Sequence, residues 1–338
     1  MVIQAGRRTV TYGRHHVLQK IRVTTLEPRD NGYWIIYIHG GAWRDPTINA
    51  DSIEPTESIL RNSPGLPIVG FASIDYRLSA HPNHPQDEAT TPADEYRAAR
   101  HPDHIRDVEA ALAFLQNTYN FGPRYILVGH SCGATLAFQA VMGAVAGHRE
   151  QSFNGGVDDC GAGAEPVSSS PGPLPPRLSA RPMAIVGVAG IYDLGRLVED
   201  HRDISAYREF AEGAFGADVL LWDAVSPAQM IGSRGVEGGW KSGRLVVLAQ
   251  SEDDELVNGA QLEVMREALQ GWERATKPEP QQQIDAGDRR VRVLPISGAH
   301  DEAWIKGEEL ARVVKYAFVQ LQKMGLSPEP ELLGGEAI

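Results

Sequence analysis

At 338 residues the chain is long enough to bury an enzyme-sized core, and its formal net charge of −12, from 44 acidic against 32 basic residues, has the wrong sign for a phosphate-binding surface. That balance argues against nucleic acid as a partner. No stretch approaches the ~20 apolar residues needed to cross a bilayer, so no membrane partner is expected, and two cysteines, Cys132 and Cys160, are too few for a disulfide framework or a four-thiolate zinc site. Arg7 and Arg8 near the start have no apolar run behind them, so no secretory signal is read and a cytoplasmic location is expected.

Residues 9–26 read as two strands around a polar turn at 13–16, an antiparallel hairpin. Short apolar runs rich in β-branched residues follow at 34–38, 68–74, 125–128, 183–188, 245–249 and 291–296, and their nearly continuous apolarity predicts strands buried on both faces. Between and after them, Ile105, Val108, Ala111, Leu112 and Leu115 recur at helical spacing, as do Leu262, Met265, Leu269 and Trp272, and then Leu310, Val313, Val314, Ala317 and Leu321. This alternation predicts an α/β fold, a mostly parallel sheet flanked by helices, in a single domain over 1–338. Residues 147–182, rich in Gly, Pro and Ser, read as a mobile surface insertion, 276–289 as a polar connector and 324–338 as a loose tail.

The strand ending at Val128 runs into Gly129-His130-Ser131-Cys132-Gly133 and then into a helical stretch. A G-x-S-x-G turn between strand and helix presents its serine at the carboxyl edge of a sheet, with glycines where backbone must pass closely. Ser131 is therefore the candidate nucleophile, and it needs a base held by a carboxylate. Only His201 and His300 follow the Gly/Pro-rich segment, and only His300, in Ser297-Gly298-Ala299-His300, lies just past the last predicted strand. For the acid, residues 252–255 offer four carboxylates after the strand through Ala249. Asp254 is chosen because it opens a D-x-x-V pattern ending at Val257, with Asp253 as runner-up.

The strand through Ile38 ends in His39-Gly40-Gly41-Ala42-Trp43, small residues whose amides can approach a developing oxyanion. Gly41 and Ala42, with the amide of Cys132, are the predicted donors. The Cys132 side chain reads as packing, and Trp43 as a pocket wall for substrate or a core aromatic. The spacings His81/His84 and His101/His104 read as solvated residues of a lid segment, with no metal ligand set. Asp103 and Asp107 read as helix-capping residues.

Together with Asp75-Tyr76-Arg77-Leu78-Ser79, these motifs resemble the kynurenine formamidases of the α/β-hydrolase fold, particularly their fungal branch, over about residues 30 to 323 without the insertion. The H-G-G-x-W signature is the most specific element, since hormone-sensitive-lipase-type esterases more often carry H-G-G-G. The resemblance implies cleavage of N-formyl-L-kynurenine to L-kynurenine and formate, a step of tryptophan catabolism that supplies NAD. It implies Ser131, Asp254 and His300 as nucleophile, acid and base, a small aromatic formamide as partner, no metal or organic cofactor, and a possible homodimer. A carboxylesterase or secondary-metabolite tailoring hydrolase, and a hydrolase-fold binding protein without turnover, are the competing readings.

Overall fold

The computed structural model describes residues 6–143, 178–275 and 288–327. Most of the predicted insertion, nearly all of the polar connector and all but the start of the tail lie outside them. Eight strands form one sheet: β1 (Gly6–Thr11), β2 (Lys20–Thr25), β3 (Tyr33–Ile38), β4 (Ile68–Ile74), β5 (Tyr125–His130), β6 (Ala184–Val188), β7 (Leu245–Ser251) and β8 (Arg290–Ile296). Their spatial order is β1-β2-β4-β3-β5-β6-β7-β8. The β1–β2 and β2–β4 pairs are antiparallel and every later pair is parallel, so the predicted hairpin leads into a parallel sheet.

The helices are α1 (Glu54–Arg61), α2 (Asp103–Tyr119), α3 (Cys132–Gln139), α4 (Leu194–Asp200), α5 (Ser205–Phe215), α6 (Val219–Val225), α7 (Val236–Gly239), α8 (Gly259–Arg274), α9 (Glu302–Ile305) and α10 (Glu308–Lys323). Alternation along β3 decides which layer each side chain enters, because successive residues of a strand point to opposite faces. Trp34, Ile36 and Ile38 join α2, α3 and α8 in one core, while Tyr33, Ile35 and Tyr37 join α1 and α10 in the other. Each fully buried large apolar side chain in these layers contributes about 1.5–3 kcal/mol.

β8 is an edge strand, not one buried on both faces as expected: among the described residues nothing pairs beyond it, Val293 is 41% exposed, and Pro295 sits where no ladder partner needs its missing N–H. Asp107 is not a helix cap but a buried anchor for the chain leaving β4. Its carboxylate accepts the Arg77 backbone N–H (2.9 Å), two guanidinium N–H groups (2.8 and 2.9 Å) and the Gln19 amide (2.8 Å). Asp103, in the first turn of α2, accepts the Arg100 backbone N–H at 3.4 Å and pairs with Arg77 at 3.3 Å. At the far end of the chain, the first residues of the predicted tail are tied down, with the Leu326 carbonyl accepting from the Tyr33 hydroxyl (2.7 Å) and Arg124 (3.2 Å).

Removing one partner of a buried ion pair strands the other, so Asp107→Ala is expected to cost about 3 kcal/mol or more. Urea denaturation reads this directly, and a loss under ~1 kcal/mol would show that the Arg77–Asp107 link does not anchor the segment after β4.

Candidate active site

β3 and β5 are parallel neighbours whose ends lie level, Ile38 opposite Gly129, and this register brings two turns together. At the end of β5, Ser131 adopts φ 54 and ψ −125, a left-handed conformation that costs a non-glycine residue on the order of 1–3 kcal/mol. Its amide bonds the Val188 carbonyl of β6 (2.9 Å) and its carbonyl accepts from Ala134 (3.0 Å), which holds the turn from both sides. Glycine is obligatory at its flanks. A Cβ on Gly129 would strike the Gly133 and Ala134 backbone, and one on Gly133 would strike the carbonyls of Ile38 and His39.

The turn after β3 is bent further still, with Gly41, Ala42 and Trp43 all at positive φ (96, 48 and 59). A second layer of polar contacts holds it. The His39 ring stacks on Tyr76 (4.5 Å between centroids) and its Nε2 faces Asp75 at 3.6 Å, while Asp75 itself accepts the Ala50 amide at 2.6 Å. The Tyr76 hydroxyl donates to the His39 carbonyl (3.0 Å), and the Ser79 amide donates to the Trp43 carbonyl (2.9 Å). Cys132 contributes more than packing: its Sγ accepts the Trp43 N–H at 3.3 Å and lies 3.6 Å from the Tyr76 hydroxyl. Burial pushes this thiol up to about 11, with the Tyr76 hydroxyl and nearby backbone amides opposing, so it is protonated at neutral pH and is no nucleophile.

His300 follows β8 through Gly298 at φ 93. Its Nδ1 lies 3.0 and 2.9 Å from the two oxygens of Asp254, whose side chain is 1% exposed. Burial raises the Asp254 pKa, but the bond to His300 and the amides of Val257 and Leu256 outweigh it, so the carboxylate sits below its ordinary range. Gln250 donates a further bond to Oδ2 at 2.9 Å. Asp253 is exposed and its carboxylate does not meet His300. Two residues absent from the sequence-derived site hold the His300 backbone. Glu255 accepts the His300 backbone N–H (3.0 Å), and His130 Nε2 meets the His300 carbonyl (3.0 Å) with its ring 4.7 Å from the His300 ring.

Ser131, His300, Gly41 and Ala42 line one cavity of about 360 Å³. No hydrogen bond joins the Ser131 and His300 side chains among the described contacts; such bonds are often long until substrate is bound. The rest of the wall is largely apolar and comes from α5 and its neighbours: Leu197, Ile204, Tyr207, Phe210, Leu256 and Val257. The Tyr207 hydroxyl fastens α5 to the loop after β7 through the Leu256 carbonyl (2.7 Å). The α5 residues of this wall were not singled out in the sequence, although Tyr207, Phe210, Ala211, Ala214 and Phe215 form a readable helical stripe.

Of the two readings of Trp43, the structure rejects the substrate-contacting wall and supports the core aromatic. It is fully buried, edge-on to Phe215 (5.0 Å) and behind Phe210, which lines the cavity in its place. Of the histidines read as solvated lid residues, His84 is exposed, while the other three depart from that reading. His104 is fully buried against Ser79 Oγ (3.1 Å), His101 packs on Phe215, and His81 faces the cavity. Among the described residues, the one group of three potential metal ligands is His130, His300 and Asp301. It excludes both H-x-x-H pairs, and two of its imidazoles already bond elsewhere through His130 Nε2 and His300 Nδ1.

Solved structures show the same architecture at low identity. Esterase B from Lactobacillus rhamnosis superposes with a TM-score of 0.61 over 95% of this chain and 85% of its own, at 14% identity. The Est2 esterase of Thermogutta terrifontis superposes at 0.55 over 98% and 97%, at 16% identity. The fold is thus that of the α/β-hydrolases. No protein-family model matches the chain. Curated relatives resolve the question further. A kynurenine formamidase-like hydrolase of Fusarium equiseti is 37% identical over 88% of this chain and 86% of its own length, and a kynurenine formamidase of Aspergillus versicolor is 33% identical over 87% and 92%. The kynurenine formamidase of Meyerozyma guilliermondii is 30% identical over 75% and 77%. The chain belongs to the kynurenine formamidase family.

Burial pushes both His104 and His130 down to about 3 from an ordinary 6.5, so the fold holds them neutral. The unfolded chain takes up protons below about pH 6.5 that the folded protein refuses, and stability therefore falls as pH drops, by ~1.4 kcal/mol per unit for each such histidine at most. His104→Asn is expected to flatten the slope of unfolding free energy between about pH 6 and about pH 4 by one histidine's share. An unchanged slope would mean that His104 accepts a proton in the folded state.

Proposed function

We propose that this hydrolase cleaves the formamide bond of N-formyl-L-kynurenine, releasing L-kynurenine and formate through a formyl-enzyme intermediate. The observation that carries this reading is the pairing of His300 Nδ1 with Asp254 at 2.9 Å, on the wall of a cavity shared with Ser131 and the Gly41–Ala42 turn. Family membership, with relatives named as kynurenine formamidases, supports the substrate.

In this mechanism His300 Nε2 takes the Ser131 proton as Oγ attacks the formyl carbon. The amides of Gly41, Ala42 and Cys132 receive the negative charge that moves onto the formyl oxygen, each worth about 2.7–4 kcal/mol of transition-state stabilisation. The C–N bond then breaks, His300 returns its proton to the departing arylamine nitrogen, and Ser131 is left as a formate ester. Water deprotonated by His300 attacks that ester, releasing formate and restoring the serine. Asp254 keeps the proton of the neutral imidazole on Nδ1 and stabilises the imidazolium between steps. The apolar side chains of Ile204, Tyr207, Phe210 and Leu256 suit an aromatic leaving group, and the formyl unit needs little room beside the oxyanion turn.

Steady-state hydrolysis of N-formyl-L-kynurenine beside p-nitrophenyl acetate tests the reading. The formamide is expected to have the higher kcat/KM, and Ser131→Ala to lose ~10⁴-fold or more on both. Efficient ester turnover with negligible formamide cleavage would move the protein to the carboxylesterases. A second comparison separates the two carboxylates: Asp254→Asn should lower kcat ~10⁴-fold, while Asp253→Asn stays within a few-fold of the parent. Equal losses would reject Asp254 as the acid.

A further inference from the structure

A second cavity of about 400 Å³ adjoins the first, and Arg44 and His81 line both. Its other polar walls come from His84, Gln86, Tyr96, Arg97 and Glu209. Two guanidinium groups thus face one lining carboxylate, in a protein whose net charge is −12.

The pairing of these groups is incomplete. Arg44 is half-buried, its guanidinium carbon 5.8 Å above the Phe210 ring, and no ion pair within 4 Å is formed by it among the described residues. The acids near it are engaged by their own turns: Asp45 Oδ1 accepts the Thr47 amide (2.8 Å) and hydroxyl (2.6 Å), and Glu209 Oε1 accepts the Ser205 hydroxyl (2.8 Å). Burial lowers the Arg44 pKa below its ordinary value, opposed only in part by the charges of Glu209 and Asp45. Arg97 donates from one terminal nitrogen to the His84 carbonyl (2.7 Å), yet its Nε is buried with no acceptor. A buried N–H without an acceptor is destabilising, and a planar guanidinium matches a carboxylate with two parallel bonds.

We propose that this second cavity is a carboxylate subsite, in which Arg44 and Arg97 hold an anionic group carried on the leaving-group side of the substrate. The charge belongs to the leaving group because a formyl unit has no atom to bear it, a clause of the argument that rests on the formamidase reading. Arg44 and Arg97 are thereby assigned to the carboxylate that the proposed substrate already carries. Arg44, at the junction of the two cavities, is the specificity-determining residue. A neutral aryl formamide or ester fits the reactive lobe and leaves the second one unpaired.

The test is binding, not turnover, so that it stands apart from the formamidase assay. Calorimetric titration of the full-length Ser131→Ala protein compares ortho-aminobenzoyl-propionate with its primary amide, ligands that share a shape and differ in charge. The carboxylate is expected to bind ~10-fold or more tightly than the amide, and Arg44→Gln or Arg97→Gln, each added to that background, to bring the ratio toward unity. A ratio near one before substitution, no measurable binding of the carboxylate, or a ratio unmoved in both folded variants would overturn the subsite. An arginine-dependent ratio in a protein that cleaves only esters would keep the subsite and discard the formamide.

Discussion

The site depends on the close approach of two backbone turns at the ends of neighbouring parallel strands. Gly133 lies so near the carbonyls of Ile38 and His39 that no side chain fits between them, and a Cβ on Gly40 would stand 2.9 Å from His130 Nδ1 and 3.1 Å from the Ser131 Cβ. With hydrogen as the largest substituent at these positions, the serine turn and the Gly41–Ala42 turn can share one cavity wall. The register of β3 against β5 makes that contact possible, and the two core layers that clamp the sheet hold the register.

Strain at this junction is distributed through a polar scaffold behind it. Ser131, Ala42 and Trp43 all adopt left-handed backbone conformations unfavourable to side-chain-bearing residues. The segment after β4 restrains one of the two turns: Asp75 and Tyr76 reach His39, Ser79 bonds Trp43, and Arg77 anchors the segment to Asp107 on α2. The Cys132 thiol closes the circuit by accepting the Trp43 amide, so the residue after the serine also steadies the opposite turn. Such a network converts burial and hydrogen bonding elsewhere into fixed dipoles where charge would develop, the general route by which a preorganised site lowers a barrier.

The imidazole is fixed by a similar convergence of distant segments. Asp254 and Glu255 arrive from the loop after β7, His130 from the end of β5, and each holds a different atom of His300. His130 is kept neutral by burial, which lets its ring lie against His300 without placing a positive charge there.

The sequence by itself determined the strand series, the three long packing helices, the serine turn and the histidine after the last strand. Each is a local pattern: apolar periodicity, or glycines at fixed offsets from a chemically distinctive residue. It also narrowed the acid to adjacent carboxylates, but adjacent residues point in different directions, and only the folded loop turns Asp254 toward His300 while Asp253 faces solvent. Tertiary structure likewise decided that Trp43 is core, that Asp107 is an anchor, and that α5 walls the cavity. These outcomes depend on which segments meet across long separations in the chain. A helical stripe specifies a buried face without naming what that face will cover, and the same carboxylate can cap a helix or neutralise an arginine according to its neighbours in space.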